Sequence, residues 1–141
     1  MLLVGVRNHE LAEVRAFYTE CGYRGGVSSK DTVVTATKGN RIIGVVRLCP
    51  EGGVLVLRGM EVRLEHQRRG IGSLMLRELD KLIGKRGCWG IARTHLEGFY
   101  GQIGFNFVGE ENAPEHLRVR LRGYRASHSA LNCIMFRVPQ T

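Results

Sequence analysis

A mixed α/β fold, with a mostly antiparallel central sheet flanked by helices, is what this sequence predicts. Three observations point to it. Residues 32–62 hold three strand-like runs joined by short glycine-bearing turns, the pattern of an antiparallel meander. The segments near 9–21 and 70–83 place apolar residues at helical spacing with polar residues opposite. With 141 residues and 43% apolar content, the chain suits one ordinary domain with a continuous core, so a single domain over 1–141 is expected.

MLLVGV reads as a short first strand. Asn8 is placed to cap a helix from about His9 to Cys21, in which Leu11, Val14, Phe17, Tyr18 and Cys21 share a face. Gly22 and the Gly25–Gly26 pair stop it. TVVTAT (32–37), the turn Lys38-Gly39-Asn40 and RIIGVVRL (41–48) make a hairpin. CPEGG (49–53) reads as another turn, and VLVLRGMEV (54–62) as the third strand of the meander. From Gly70 a helix aligns Ile71, Leu74, Met75, Leu79, Leu82 and Ile83, with Arg77, Glu78, Asp80 and Lys81 on the other face; Gly84 and Gly87 end it. WGIA (89–92) is a short strand, LEGFYGQ (96–102) a short helix closed by Gly104, and FNFVG (105–109) another strand. Pro114 suits the first turn of a last helix aligning Leu117, Leu121 and Tyr124, and LNCIMFRV (131–138) is the final strand.

The formal net charge of +8 suits an anionic partner, such as a phosphorylated ligand, nucleic acid or an acidic surface, and on charge alone a solvated basic surface with no partner is an equal alternative. Cys21, Cys49, Cys88 and Cys133 lie far apart, and the five histidines share no ligand spacing with them, so no metal site is expected. The opening run is too short for a signal-peptide core, and no apolar run reaches membrane-spanning length. Reduced thiols in a cytoplasmic protein without membrane contact are therefore expected. Arg118, Arg122 and Arg125 share a face of the last helix. No aromatic residues interleave with them, which favours a solvated face over a nucleic-acid platform. Trp89 reads as a core residue.

The densest positive charge stands just before a helix, in HQRRGIGSLMLREL (66–79). A strand, the loop Gln67-Arg68-Arg69-Gly70-Ile71-Gly72-Ser73 and a helix set unpaired backbone N–H groups at the positive end of a helix dipole. Glycine lets an anion approach the backbone, and two arginines add mobile charge, which makes a pyrophosphate cradle. A plain turn is the alternative reading. The dinucleotide fingerprint GxGxxG after a first strand and the triphosphate loop GxxxxGK[ST] are both absent.

The run matches Q/R-x-x-G-x-G/A and resembles the signature of the GCN5-related N-acetyltransferase (GNAT) superfamily. MEV (60–62) stands where that family has an apolar tripeptide at the end of its fourth strand, and LEGFYGQIGF (96–105) looks like its A-x-x-F-Y-x-x-x-G-F block. The resemblance spans nearly the whole chain. It implies a sheet whose fourth and fifth strands splay apart, and transfer of acetyl from acetyl-coenzyme A to a primary amine by direct attack. It also implies pyrophosphate binding by the backbone of Arg68–Ser73, with Gln67 opening the signature. Pairing of the pantetheine arm with Met60, Glu61 and Val62 and a proton from Tyr100 to the departing thiolate complete what it implies. Phe99-Tyr100 as plain core aromatics is the alternative. Three positions depart from the family pattern: Arg93 replaces an asparagine, Leu96 a small residue, and Cys88 a glutamate base. Glu61, His95, Glu97 or water remain open as the base. A non-catalytic coenzyme A-binding regulatory module is the competing function. The acceptor and the oligomeric state, a homodimer included, stay open.

Overall fold

A computed structural model describes residues 1–6, 10–127 and 131–141 and divides the chain into two compact units, Met1–Leu82 and Ile83–Thr141. The expected Asn8 cap lies outside the described residues, as do His9 and His128.

In the first unit, β1 (Leu2–Val6), β2 (Thr32–Lys38), β3 (Arg41–Glu51) and β4 (Val54–Val62) pair in sequence order, each antiparallel to the next. Ile42 to Cys49 of β3 are all buried, as befits a strand with neighbours on both edges and covered faces. Here the structure corrects one expectation. Cys49, Pro50 and Glu51 extend β3 instead of turning, and only Gly52 and Gly53, at φ 54° and 83°, make the reversal. β2 stops pairing at Thr32, opposite Leu48, so Pro50 lies beyond β2 and its missing N–H breaks no bond on that side.

The helix α1 (Leu11–Cys21) buries Val14, Phe17 and Tyr18 in a cluster with Ile42 and Val45. Gly22 ends it in the left-handed conformation (φ 77°), and the Tyr23 N–H donates to the Tyr18 carbonyl (2.9 Å). In α2 (Ile71–Ile83) the buried stripe is Ile71, Met75, Leu76, Leu79 and Ile83, whereas Leu74 is 37% exposed. The apolar face is therefore rotated from the expected one, because Leu76 is buried on it. Gly44 makes room for this helix: a Cβ there would stand 2.9 Å from Met75 Cε.

In the second unit, β7 (Asn132–Arg137) lies between β5 (Cys88–Arg93) and β6 (Phe105–Phe107), antiparallel to both. Two helices accompany them, α3 (Glu97–Gly101) and α4 (Glu115–Ser127). Pro114 opens α4 as expected, its carbonyl accepting the amides of Leu117 and Arg118. Leu117 and Leu121 are fully buried and Tyr124 half-buried. Trp89 is half-buried, its ring 4.3 Å from that of Phe136. Three 3-10 turns, Leu64–His66, Thr94–Leu96 and Glu110–Asn112, are too short for periodicity to announce.

The four thiols are free; Cys49 and Cys88 are buried, Cys21 and Cys133 partly so. Burial pushes the Cys49 thiol up to about 12. Among the described residues, no helix is long and apolar enough to cross a membrane.

Candidate active site

The first unit holds the loop expected to cradle an anion. β4 ends at Val62, a 3-10 turn reverses the chain, and residues 67–70 lead into α2. The Gln67 side-chain amide donates to the Val62 carbonyl (2.9 Å), which ties the loop to the end of the MEV tripeptide. Arg68 has φ 63° and Gly70 φ 78°. Arginine in the left-handed region costs about 1–2 kcal/mol, because its Cβ crowds the carbonyl oxygen that follows. Such strain concentrates where surrounding structure imposes it, often at functional sites. Left-handed residues turn successive amides to one side, the geometry of an anion-binding nest.

The Gly70 carbonyl accepts the Leu74 amide (3.1 Å), so the helical ladder begins there and the amides of Gly70, Ile71 and Gly72 have no intrahelical acceptor. Ser73 follows in the same turn. Nothing lies within 4 Å of where a Gly70 Cβ would stand, so the space over the backbone is open. Arg68 and Arg69 are exposed. Backbone donors, a helix dipole and two mobile guanidinium groups form a donor set that fits a pyrophosphate.

A β-bulge shapes the strand just before the tripeptide. Arg47 faces Arg58 and Val45 faces Glu61, so Gly59 and Met60 together oppose the single residue Val46. Gly59 is left-handed (φ 68°), and a Cβ there would lie 2.4 Å from the Tyr18 hydroxyl. That hydroxyl donates to the Gly59 carbonyl (2.7 Å) and accepts from Arg47 Nε (3.1 Å). Burial pushes the Tyr18 pKa up, so the group stays a donor. The fully buried Arg47 guanidinium is further held by Asp31 (2.7 Å), the Gly26 carbonyl (2.6 Å) and the Tyr23 hydroxyl (2.8 Å). Sequence reasoning missed this support. The available signals were a charged residue inside the apolar run RIIGVVRL and a glycine inside a strand. Burial first, and then the negative charge of Glu61, push the Cys21 thiol up, which places Glu61 near the end of α1.

Tyr100 belongs to the second unit. It is 6% exposed, and the rings of Phe99 and Phe105 meet it edge-on at 4.9 and 6.2 Å. The Glu97 carboxylate accepts the Phe107 amide (3.1 Å) and so holds α3 against β6. His95 is exposed in the preceding 3-10 turn, Arg93 is an exposed strand end, and Cys88 is fully buried.

A family model described as an acetyltransferase (GNAT) domain matches residues 29–107, more than half of the chain. The chain belongs to the GNAT acetyltransferase family. No curated protein matches it at significant similarity. Solved structures share its fold at low identity. The ribosomal-protein-S18-alanine N-acetyltransferase of Escherichia coli superposes with a TM-score of 0.71 at 14% identity, over 100% of this chain and 96% of that one. An aminoglycoside 6'-N-acetyltransferase complexed with coenzyme A gives 0.66 at 14% identity, over 99% of each chain. N-acetylglutamate synthase of Neisseria gonorrhoeae, complexed with coenzyme A and N-acetyl-glutamate, gives 0.68 at 15% identity; the match takes in 100% of this chain but 36% of the synthase.

Proposed function

We propose that residues 1–141 act as one acetyltransferase domain that moves acetyl from acetyl-coenzyme A to a primary amine of a small molecule or peptide. The observation that carries this reading is the Gln67-anchored, left-handed turn at Arg68–Gly70, which opens α2 as an anion cradle. Two of the solved relatives are complexed with coenzyme A, which supports the same cofactor here.

Acetyl-coenzyme A supplies a thioester already activated toward amines. Gln67 to Ser73 hold its pyrophosphate. Met60, Glu61 and Val62 offer backbone groups to the pantetheine arm, and one of their amides polarises the thioester carbonyl. The amine attacks the carbonyl carbon, the carbon–sulfur bond breaks, and Tyr100 gives its phenolic proton to the departing thiolate. No side chain serves as nucleophile. Glu61, His95, Glu97, one of whose oxygens accepts the Phe107 amide, and solvent are the candidates for taking up the proton that the amine loses.

One observation favours the second reading, coenzyme A binding without turnover: Tyr100 is nearly buried between two aromatic rings, as a core residue would be. Thiol release by the parent with a library of amines separates the two readings; Tyr100→Phe then tests the acid role, because it keeps the ring and deletes the proton. For the acid role, thiol release falls roughly 10²–10⁴-fold while acetyl-coenzyme A affinity holds. Near-parental turnover in the folded variant, with a loss of about 1 kcal/mol in thermal unfolding, would make Tyr100 a packing residue instead.

A further inference from the structure

A cleft of about 590 Å³ opens beside the end of α1, lined by Arg15, Tyr18, Thr19, Tyr23, Arg24 and the loop through Val27. That volume suits a small molecule. The cleft adjoins the proposed thioester site through one wall: the Tyr18 hydroxyl is bonded to the Gly59 carbonyl, and Met60 is the next residue. Its shape is fixed from behind, where buried Arg47 holds Tyr18, Tyr23 and Gly26 together. Gly25 packs so closely under Tyr23 that a Cβ would come within 2.1 Å of its hydroxyl.

The lining is one-sided in charge. Arg15 gives one nitrogen to the Val27 carbonyl (3.1 Å), and Arg24 is exposed and makes no ion pair or hydrogen bond among the described residues. Among the described residues, no carboxylate lines the cleft. The acids that bracket this loop in sequence, Glu20 and Asp31, are engaged by Arg63 and Arg47. A cationic acceptor would meet two uncompensated guanidinium groups, whereas an anionic group would meet two forked donors.

We infer that the acceptor is a small primary amine carrying an anionic group, with Arg15 and Arg24 as its specificity determinants. The inference rests on the acetyltransferase reading above. The anion pairs with the arginines, and the amine reaches past Tyr18 to the proposed thioester site beside Met60. There its lone pair forms the new carbon–nitrogen bond as thiolate leaves, and the amine sheds one proton.

The test compares 4-aminobutyrate, L-glutamate and phosphoethanolamine with 1,4-diaminobutane and spermidine by thiol release, in the parent and in Arg24→Glu. The phosphate-bearing amine distinguishes a phosphate-selective cleft from a carboxylate-selective one. Binding of glutarate, a dicarboxylate without an amine, is measured alongside with acetyl-coenzyme A present. The parent is expected to prefer the anionic amines and to bind glutarate. Arg24→Glu should raise KM for the anionic amines about tenfold or more with kcat little changed, improve the cationic ones, and abolish glutarate binding. Acetyl-coenzyme A affinity, which rests on residues 67–73, should hold. A parent that prefers the diamines overturns the inference; so does one that binds acetyl-coenzyme A but neither acetylates an anionic amine nor binds glutarate. An Arg24→Glu variant that affects all amines equally also overturns it. Failure to bind acetyl-coenzyme A at all defeats the acetyltransferase reading itself, a separate result.

Discussion

Two stretches of this chain are rich in arginine, and the fold uses them differently. In residues 67–73, Arg68 and Arg69 stand on a backbone forced left-handed at two positions, tied by Gln67 to Val62 and followed by helix-opening amides. In α4, Arg118, Arg122 and Arg125 decorate an already formed helix whose amides largely serve its own ladder. Arg125 pairs with Glu110 (2.9 Å) and donates to the Asn132 carbonyl (3.0 Å), so it staples the helix to its own unit. Side-chain charge is similar in the two places. What differs is the backbone: the first stretch sets two left-handed residues directly before helix-opening amides.

The harshest test of that difference is Gly70→Glu. A carboxylate there enters the open space above the nest and repels the pyrophosphate, so several charge-assisted hydrogen bonds fail together. Acetyl-coenzyme A affinity measured by calorimetry should fall about two orders of magnitude or more. Gly70→Ala imposes the same left-handed strain without the charge and serves as the control for backbone distortion. A folded Gly70→Glu variant that binds as tightly as the parent would remove the cradle from the site.

A smaller loss is expected from Arg68→Ala and Arg69→Ala, roughly tenfold each toward coenzyme A, since each deletes one mobile charge and leaves the amides in place. Pantetheine, which lacks the phosphates, should bind these variants as it binds the parent. A matching loss on pantetheine would mean that the arginines hold the loop rather than the ligand.

Parts of the molecule also differed in how legible they were. The loop and helix start at residues 67–73 could be read because their signals are local: glycine spacing, neighbouring arginines and the apolar period of the helix all lie close together. The strands of the meander and the helices α1, α2 and α4 were equally open to view, since their periodicity is local too. What could not be read depends on contacts distant in sequence. Gly59 is a bulge because Tyr18, 41 residues away, donates to its carbonyl. Arg47 is buried because Asp31, Tyr18 and Tyr23 converge on it from α1 and the loop that follows. Pro50 continues a strand because β2 ends two residues short of it. Leu76 turns inward although pattern alone favours Leu74 on that face. The cleft beside α1 belongs to this second class, and no spacing rule announces it.

The smallest effect is expected where charge has no backbone behind it. Arg118→Ala and Arg122→Ala each remove a full positive charge, as the cradle variants do, so the two pairs change net charge equally. If attraction to the whole basic surface governed binding, the two pairs would lose equally. At near-physiological salt the Debye length is about 8–10 Å, so a charge that makes no direct contact with the ligand is largely screened. Coenzyme A affinity should therefore change less than twofold in the α4 variants. At low ionic strength both pairs should slow association somewhat, since long-range steering is a property of the whole field. Calorimetry at two salt concentrations on all four variants decides the matter. Equal losses at physiological salt would dissolve the distinction between the stretches. A loss confined to Arg68 and Arg69 would assign the phosphates to one strained turn.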